Sequence, residues 1–127
     1  MDGNVNAINW FEVPVSEMDR AKTFYETVFD IKMEMAEMMG MEMAFFPAEP
    51  GNGKVSGALV KGPQHKPSME GVVLYFNGNP DLSVALERDE GACGKITMPK
   101  TKINDDVGHM AFFIDSEGNM VALHSQE

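Results

Sequence analysis

The sequence lacks the features that would place it in a membrane or in an oxidising compartment. Cys93 is its one cysteine, so it cannot form an internal disulfide, and it belongs to no CxxC or Cys/His cluster. No apolar run approaches the roughly 20 residues that a bilayer-spanning helix needs. Residues 1–6 have neither the basic nor the apolar region of a signal peptide. We therefore expect a cytoplasmic protein that contacts no membrane.

Basic residues are also scarce, since 10 lysines and arginines stand against 20 acidic residues, for a net charge of −10. Nucleic-acid binding needs clustered lysine and arginine, so we expect no nucleic-acid partner. An acidic surface would attract a cationic ligand. Alternatively, the acidic surface only keeps the protein soluble.

The most informative feature that is present is an internal repeat. The 127 residues suit a single domain. Module one covers about residues 6–61, a linker rich in proline and glycine covers about 62–70, and module two covers about 71–125. Each module has the predicted order βαβββ. We expect an α+β fold in which the two modules form one curved mixed sheet, with the helices outside and a cleft inside.

Local patterns place the elements of module one. An extended apolar run, Ile8 to Val15, is followed by Ser16, which is a typical helix cap. Apolar residues then recur at helical spacing from Met18 to Val28. Two alternating runs joined near Gly40 predict a hairpin, and Val55 to Lys61 predicts a further strand.

Module two repeats this order. Val72 to Phe76 predicts a strand, and Asn79 followed by Pro80 is a typical helix start. Ile96 to Met98 predicts a weak strand that gives way to a polar loop from Pro99 to Asp106. Met110 to Ile114 and Met120 to Leu123 flank a run, residues 115–119, that is typical of a hairpin turn.

Two segments resemble a known family. The run Val13 to Tyr25 resembles the opening strand and helix of glyoxalase and bleomycin-resistance proteins. Asp115-Ser116-Glu117-Gly118-Asn119 resembles their late Asp-Pro-x-Gly-Asn turn, with Ser116 in place of the proline. With the strand spacing, the similarity to this vicinal oxygen chelate superfamily, which includes extradiol dioxygenases, covers nearly the whole chain.

The resemblance implies a divalent metal held by His and Glu on the first and last strand of each module, where it acts as a Lewis acid. Counting from the two motifs puts Trp10, Gly57, Val72 and Ala122 at those four positions. None of these side chains can coordinate a metal, and a shift of one residue supplies no better set. We therefore expect no metal or other cofactor. The resemblance also implies a homodimer.

Strand alternation suggests what remains on the inner face. Glu12 shares a face with Trp10, and His124 shares one with Ala122; we take Glu12 and His124 as candidate catalytic residues. The candidate ligand-binding residues are Trp10, Glu12, Gly57, Val72, Leu74, Phe113, Ala122 and His124. If Asp115 pairs with Met120, His109 and Phe113 join the inner face, whereas a register one residue different would turn His109 away.

Simpler interpretations exist for several of these residues. Glu12 would be satisfied by neighbouring backbone, and His124 would be a surface residue near the C-terminus. Six of the 12 methionines lie from Met33 to Met43, where they suit a binding surface or ordinary core. The alternation of side chains along the strand predicts that Tyr75 faces the helix. His65, in the linker, is expected to be solvated.

The favoured function is metal-independent binding of a small organic molecule, cationic or aromatic, in the cleft between the modules, or an unassigned reaction there. The alternative is a metal-dependent lyase, isomerase or dioxygenase with ligands relocated to Glu12, His109 and His124.

Overall fold

The computed structural model describes residues 1–92 and 94–127, in which the order βαβββ occurs twice. Cys93, for which the sequence shows no activating neighbour, lies outside the described residues. Module one comprises β1 (Trp10–Pro14), α1 (Met18–Phe29), β2 (Glu34–Met38), β3 (Met41–Phe45) and β4 (Ser56–Lys61). Module two comprises β5 (Tyr75–Asn77), α2 (Ser83–Gly91), β6 (Lys95–Asn104), β7 (Gly108–Ile114) and β8 (Met120–Ser125).

Each module forms its own mixed four-stranded sheet, in the orders β1-β4-β3-β2 and β5-β8-β7-β6. The first strand of each module lies at a sheet edge, parallel to the last strand. These two edge strands bring the modules together, since the rings of Phe11 and Phe76 lie 5.6 Å apart. The predicted α+β fold of two βαβββ modules is confirmed.

Helix α1 forms where the sequence predicts it, and its apolar residues Met18, Ala21, Tyr25 and Val28 are buried. Its cap differs from the prediction. The N-cap is Glu17, which makes no side-chain capping bond. Instead the carboxylate of Glu117, in the β7–β8 turn, accepts the backbone N–H groups of Ser16 and Glu17 at 2.8 Å each. A residue of module two therefore caps the helix of module one.

The main hydrophobic core is shared by both modules. It joins residues of α1 with Leu59 of the first sheet and Phe113 and Leu123 of the second. Within this core the Tyr25 hydroxyl donates to Asp115 at 2.7 Å. Burial, and then the neighbouring Asp115, raises the pKa of Tyr25 well above its ordinary value, so it stays a donor.

The predicted β2–β3 hairpin near Gly40 is confirmed, and its turn residues are Met39 and Gly40. Both residues have positive φ, 54° and 78°. This is the conformation that two-residue hairpin turns require, and glycine adopts it without strain. The hairpin therefore fixes Met38 opposite Met41.

Three other elements of module two depart from the prediction. Strand β5 begins only at Tyr75, and α2 begins at Ser83, after a cis Asn79–Pro80 peptide. Strand β6 continues through Pro99, which was expected to begin a loop. Proline is tolerated there because β6 is an edge strand and its register with β7 shifts between Met98 and Thr101.

No helix in residues 1–92 and 94–127 is both long enough and apolar enough to cross a membrane.

Candidate functional site

Strand β1 presents two polar-tipped side chains to the inner face of the first sheet. Trp10 and Glu12 alternate with Phe11 and Val13, which face the core, as predicted. The Trp10 indole N–H donates to Glu12 Oε2 at 3.3 Å. The Trp10 ring lies 6.1 Å from that of Phe45 and remains 44% exposed.

The second oxygen of the Glu12 carboxylate is held by a residue that the sequence assigned to solvent. His65 Nε2 lies 2.8 Å from Glu12 Oε1, and only 19% of the His65 side chain is exposed. A carboxylate on an otherwise apolar strand needs a partner. That need predicts a hydrogen-bond donor for Glu12, but the spacing of residues in the sequence does not indicate which residue supplies it.

Beside this pair, the inner face of module one is partly filled. Met43, Ala58 and Val60 are buried there, and Met41 and Phe45 pack against them. These residues occupy part of the face on which the cleft was expected.

A pocket of about 270 Å³ remains where the two modules meet, and we name it the junction pocket. Its carboxylates are Glu12 and Glu70, and Lys66 is its one lysine. The other residues lining it are Val13, Pro14, Ser68, Val72, Leu74, Asn119, Met120 and Val121. It is therefore a mainly apolar pocket with two acidic groups, and it contains the predicted residues Glu12, Val72 and Leu74.

Val72 and Leu74 reach this pocket from an extended segment rather than from a strand. Val72 is 90% exposed, and Leu74 packs partly on the main core. The Leu74 carbonyl accepts the backbone N–H of Ala122 at 2.8 Å, which fixes this segment beside β8.

The inner face of module two holds Ala122 and His124, as strand alternation predicts. Tyr75 shares that face and stacks edge-on against Phe112 at 5.7 Å. The expectation that Tyr75 faces the helix is wrong, because Phe76 is the β5 residue that enters the core. His124 lies within β8, where its Nε2 is 2.5 Å from the Val107 carbonyl oxygen.

The register between β7 and β8 differs by one residue from the expected one. Ile114, not Asp115, pairs with Met120. Because side chains alternate, Phe112 and Met110 face inward while His109 and Phe113 turn away. Phe113 is fully buried against Phe24, with ring centroids 6.1 Å apart.

Gly57 also lies on the helix side of its sheet. A Cβ at this position would overlap the Phe11 carbonyl oxygen and approach its ring to 2.6 Å. Gly57 therefore allows the Phe11 ring to pack, and its neighbours Ser56 and Ala58 face inward. Neither side chain is a good metal ligand, so the shift restores no donor set.

The residues present do not fit the divalent metal that the resemblance implies. In residues 1–92 and 94–127, no three His, Cys, Asp or Glu side chains gather as a metal site would require. The relocated set is not assembled either, because Glu12 contacts His65, His124 contacts Val107, and His109 faces the other side of its sheet.

Comparison with known proteins agrees with the fold. The model of the Glyoxalase/Bleomycin resistance protein/Dioxygenase superfamily matches residues 7–123. No curated protein matches the chain. The solved structure of TnmS3, an antibiotic binding protein from Streptomyces sp. CB03234, is 21% identical with a TM-score of 0.64. That match covers 97% of this chain and 98% of that one.

Two further solved structures are similar. Glyoxalase I from Zea mays is 20% identical with a TM-score of 0.64, over 91% of this chain and 42% of that one. A glyoxalase/bleomycin resistance protein/dioxygenase family enzyme from Burkholderia phytofirmans PsJN is 10% identical with a TM-score of 0.66, over 94% and 98%. At these identities the likeness shows a shared fold.

Proposed function

Because the chain belongs to the Glyoxalase/Bleomycin resistance protein/Dioxygenase superfamily, we propose that it binds a small organic cation in the junction pocket without a divalent metal. The observation that carries the proposal is that Glu12 and Glu70 both line a mainly apolar pocket between the two modules. Such pockets bury the apolar part of a ligand and orient it by a few polar groups.

Two carboxylates, Glu12 and Glu70, against one lysine, Lys66, give the junction pocket an acidic balance that favours a cation. Glu12 keeps one oxygen on the Trp10 indole and the other on His65, so its carboxylate is held in place before a ligand arrives. Preorganisation of this kind lowers the entropic cost of binding. The net charge of −10 adds long-range attraction for a positive ligand.

One of the similar solved structures supports binding as the role. TnmS3 is by its name an antibiotic binding protein, and the match spans nearly the full length of both chains. Sequestration of an organic molecule requires a shaped pocket and no reactive metal. The replacement of the four metal positions by Trp10, Gly57, Val72 and Ala122 accords with that role.

A thermal-shift and calorimetric titration tests this proposal. The probe is benzyltrimethylammonium, with phenylmethanesulfonate as an anion of similar size. A ligand that binds only the folded state raises the melting temperature. We expect the cation to raise it and the anion to leave it unchanged.

The variant Val72→Lys places a positive charge at the rim of the junction pocket, on a side chain that is 90% exposed and makes little packing contribution. We expect at least a tenfold weaker affinity for the cation. The matched control is Val84→Lys, at an exposed position on α2 outside the pocket. Equal binding of cation and anion, or equal loss in both variants, would refute the proposal.

A further inference from the structure

His65 has one ring nitrogen that the fold leaves unused. A carboxylate only accepts hydrogen bonds, so His65 Nε2, 2.8 Å from Glu12 Oε1, carries the proton. In the neutral ring Nδ1 then presents a lone pair. That nitrogen is buried and has no hydrogen-bond partner among residues 1–92 and 94–127.

A soft donor lies beside this nitrogen. The point at which Gly62 would carry a Cβ is 2.8 Å from Met41 Cγ, 3.1 Å from Met41 Sδ and 3.3 Å from His65 Nδ1, so the sulfur and the nitrogen both lie close to one point. Glycine at position 62 thus lets the thioether and the imidazole approach the same stretch of backbone. A turn bond from the His65 N–H to the Gly62 carbonyl, 3.1 Å, fixes this arrangement.

A second thioether belongs to the same face. Met38 is the direct cross-strand partner of Met41 in the β2–β3 hairpin. Side chains in such pairs start about 5 Å apart and point the same way. Met38 is half exposed, so its flexible side chain is free to turn toward Met41.

We propose that His65 Nδ1 and Met41 Sδ, with Met38 as a third donor, form a binding site for a soft monovalent metal ion, Cu(I) or Ag(I). Thioether and imidazole ligands select soft ions over Mg²⁺ or Ca²⁺. Glu12 supplies the arrangement found behind metal-bound histidines, a carboxylate that accepts the other ring N–H and increases the basicity of the ligand. The negative charge of Glu12 also balances the positive charge of the ion.

This site is separate from the junction pocket and does not depend on ligand binding there. The only shared residue is Glu12, which touches His65 through Oε1. Val72→Lys, the variant that weakens cation binding in the pocket, is expected to leave the metal affinity unchanged. Failure of one proposal is therefore distinguishable from failure of the other.

The experiment uses Ag(I), which is stable in air, added to the full chain carrying Cys93→Ser so that the thiol does not compete. Calorimetry is expected to show one tight site. Carbon NMR of methionine methyl groups is expected to shift the Met41 signal, and nitrogen NMR to shift His65 Nδ1. The signal of Met39, which is 92% exposed at the hairpin tip, is expected to stay in place.

Variants separate this site from adventitious binding to methionine. We expect Met41→Leu and His65→Ala to weaken Ag(I) binding at least tenfold, and Glu12→Gln to weaken it 10- to 100-fold, as for other partners of metal-bound histidines. Met39→Leu is the control for an exposed thioether and is expected to change nothing.

Gly62→Ala is the sharpest variant because it retains every proposed ligand. Its added Cβ would come within 2.8 Å of Met41 Cγ and 3.3 Å of His65 Nδ1 and so push the thioether away from the imidazole, and Gly62 is not among the glycines with positive φ. We expect a tenfold or greater loss of Ag(I) affinity with the fold retained by circular dichroism. The proposal is overturned if Ag(I) does not bind, or if it binds all variants as well as the Cys93→Ser protein.

Discussion

Asp89, near the C-terminal end of α2, is a buried acid whose carboxylate has no partner in the described part of the chain. Its side chain is 0% exposed, and neither carboxylate oxygen has a hydrogen bond within residues 1–92 and 94–127. Burial, followed by the charges of Glu90 and Asp115, raises its pKa from 3.8 to about 6. A charged carboxylate is therefore a cost to the folded protein at neutral pH.

The raised pKa of Asp89 determines how the stability of the protein changes with pH. The folded state binds the Asp89 proton more tightly than the unfolded state does. Protonated Asp89 therefore contributes its full stabilisation below about pH 4, and this stabilisation is lost as the pH rises through about 6. We predict that Asp89→Asn gains about 3 kcal/mol relative to the native chain between pH 3.5 and pH 8.

Urea unfolding of both proteins across that pH range measures the difference. Glu87→Gln, at an exposed position of the same helix, is the control and is expected to show no such trend. A difference between Asp89→Asn and the native chain that stays constant with pH would show that Asp89 ionises normally.

For individual residues, some side-chain neighbours could be predicted from the sequence and others could not. The parity of β1 correctly placed Trp10 with Glu12, because alternation is a local property of a strand. The bond from Glu12 to His65 spans 53 positions and depends on how the linker returns over the sheet. No local pattern encodes that path, so His65 was expected in solvent.

At the scale of elements, helix α1 depends on a carboxylate from the other module. The Glu117 side chain is 0% exposed; it accepts two N–H groups at the helix start and two bonds from the Arg20 guanidinium, at 2.7 and 3.1 Å. Burial alone would raise the pKa of Glu117. The hydrogen bonds from Arg20, Glu17, Ser16 and the Ser116 hydroxyl outweigh burial and lower it.

We predict that Glu117→Gln destabilises the protein by about 2 kcal/mol, since it weakens both the helix cap and the ion pair with the half-exposed Arg20. Because the folded pKa is lowered, the contribution is present above the ordinary glutamate pKa and disappears as the pH falls through the folded value. The difference between the two proteins is therefore expected to shrink in acid.

Thermal unfolding at pH 7 and at pH 3 checks both parts of this prediction. Glu17→Gln is the matched control, because the Glu17 side chain is 68% exposed and its nitrogen–oxygen distance to Arg20 is 3.9 Å. If Glu117→Gln is no more destabilising than Glu17→Gln, the cap contributes little.

The boundaries of helices and strands were predicted correctly only where the local sequence strongly restricts the backbone conformation. The β2–β3 hairpin turned near Gly40 as predicted, because glycine adopts the positive φ of a hairpin turn without strain. The β7–β8 register was missed by one residue, since the turn length alone does not state whether Ile114 or Asp115 makes the first pair. That single step moved His109 and Phe113 away from the inner face.

At the scale of the whole molecule, the repeat and the two motifs were sufficient to predict the fold. The hairpin-turn motif also has a role that its sequence did not reveal. Asn119 donates to the Pro14 carbonyl at 2.8 Å and accepts the Ser68 N–H at 3.0 Å, while Asp115 accepts from Tyr25. One turn thus joins β1, α1 and the linker. The homodimer stays a prediction.

These ties, with the shared core, lead us to predict that the two modules unfold as one cooperative unit. Phe76 of module two contacts Phe11 and Phe46 of module one, with ring centroids 5.6 and 5.4 Å apart. Neither module can lose its structure without exposing the other's buried rings, at about 25 cal/mol for each Å² of apolar surface.

Two tryptophan probes test this prediction. Trp10 fluorescence reports on module one, and the double variant Trp10→Phe, Phe112→Trp reports on module two. In urea we expect each to give the same midpoint as the circular dichroism of its own protein, as two-state unfolding requires. Phe112 lies on the inner face, outside the shared core, so its replacement leaves the contacts of Phe76 intact. A module-two transition that precedes or follows the loss of helix would show that the modules unfold separately and that the shared core does not couple them.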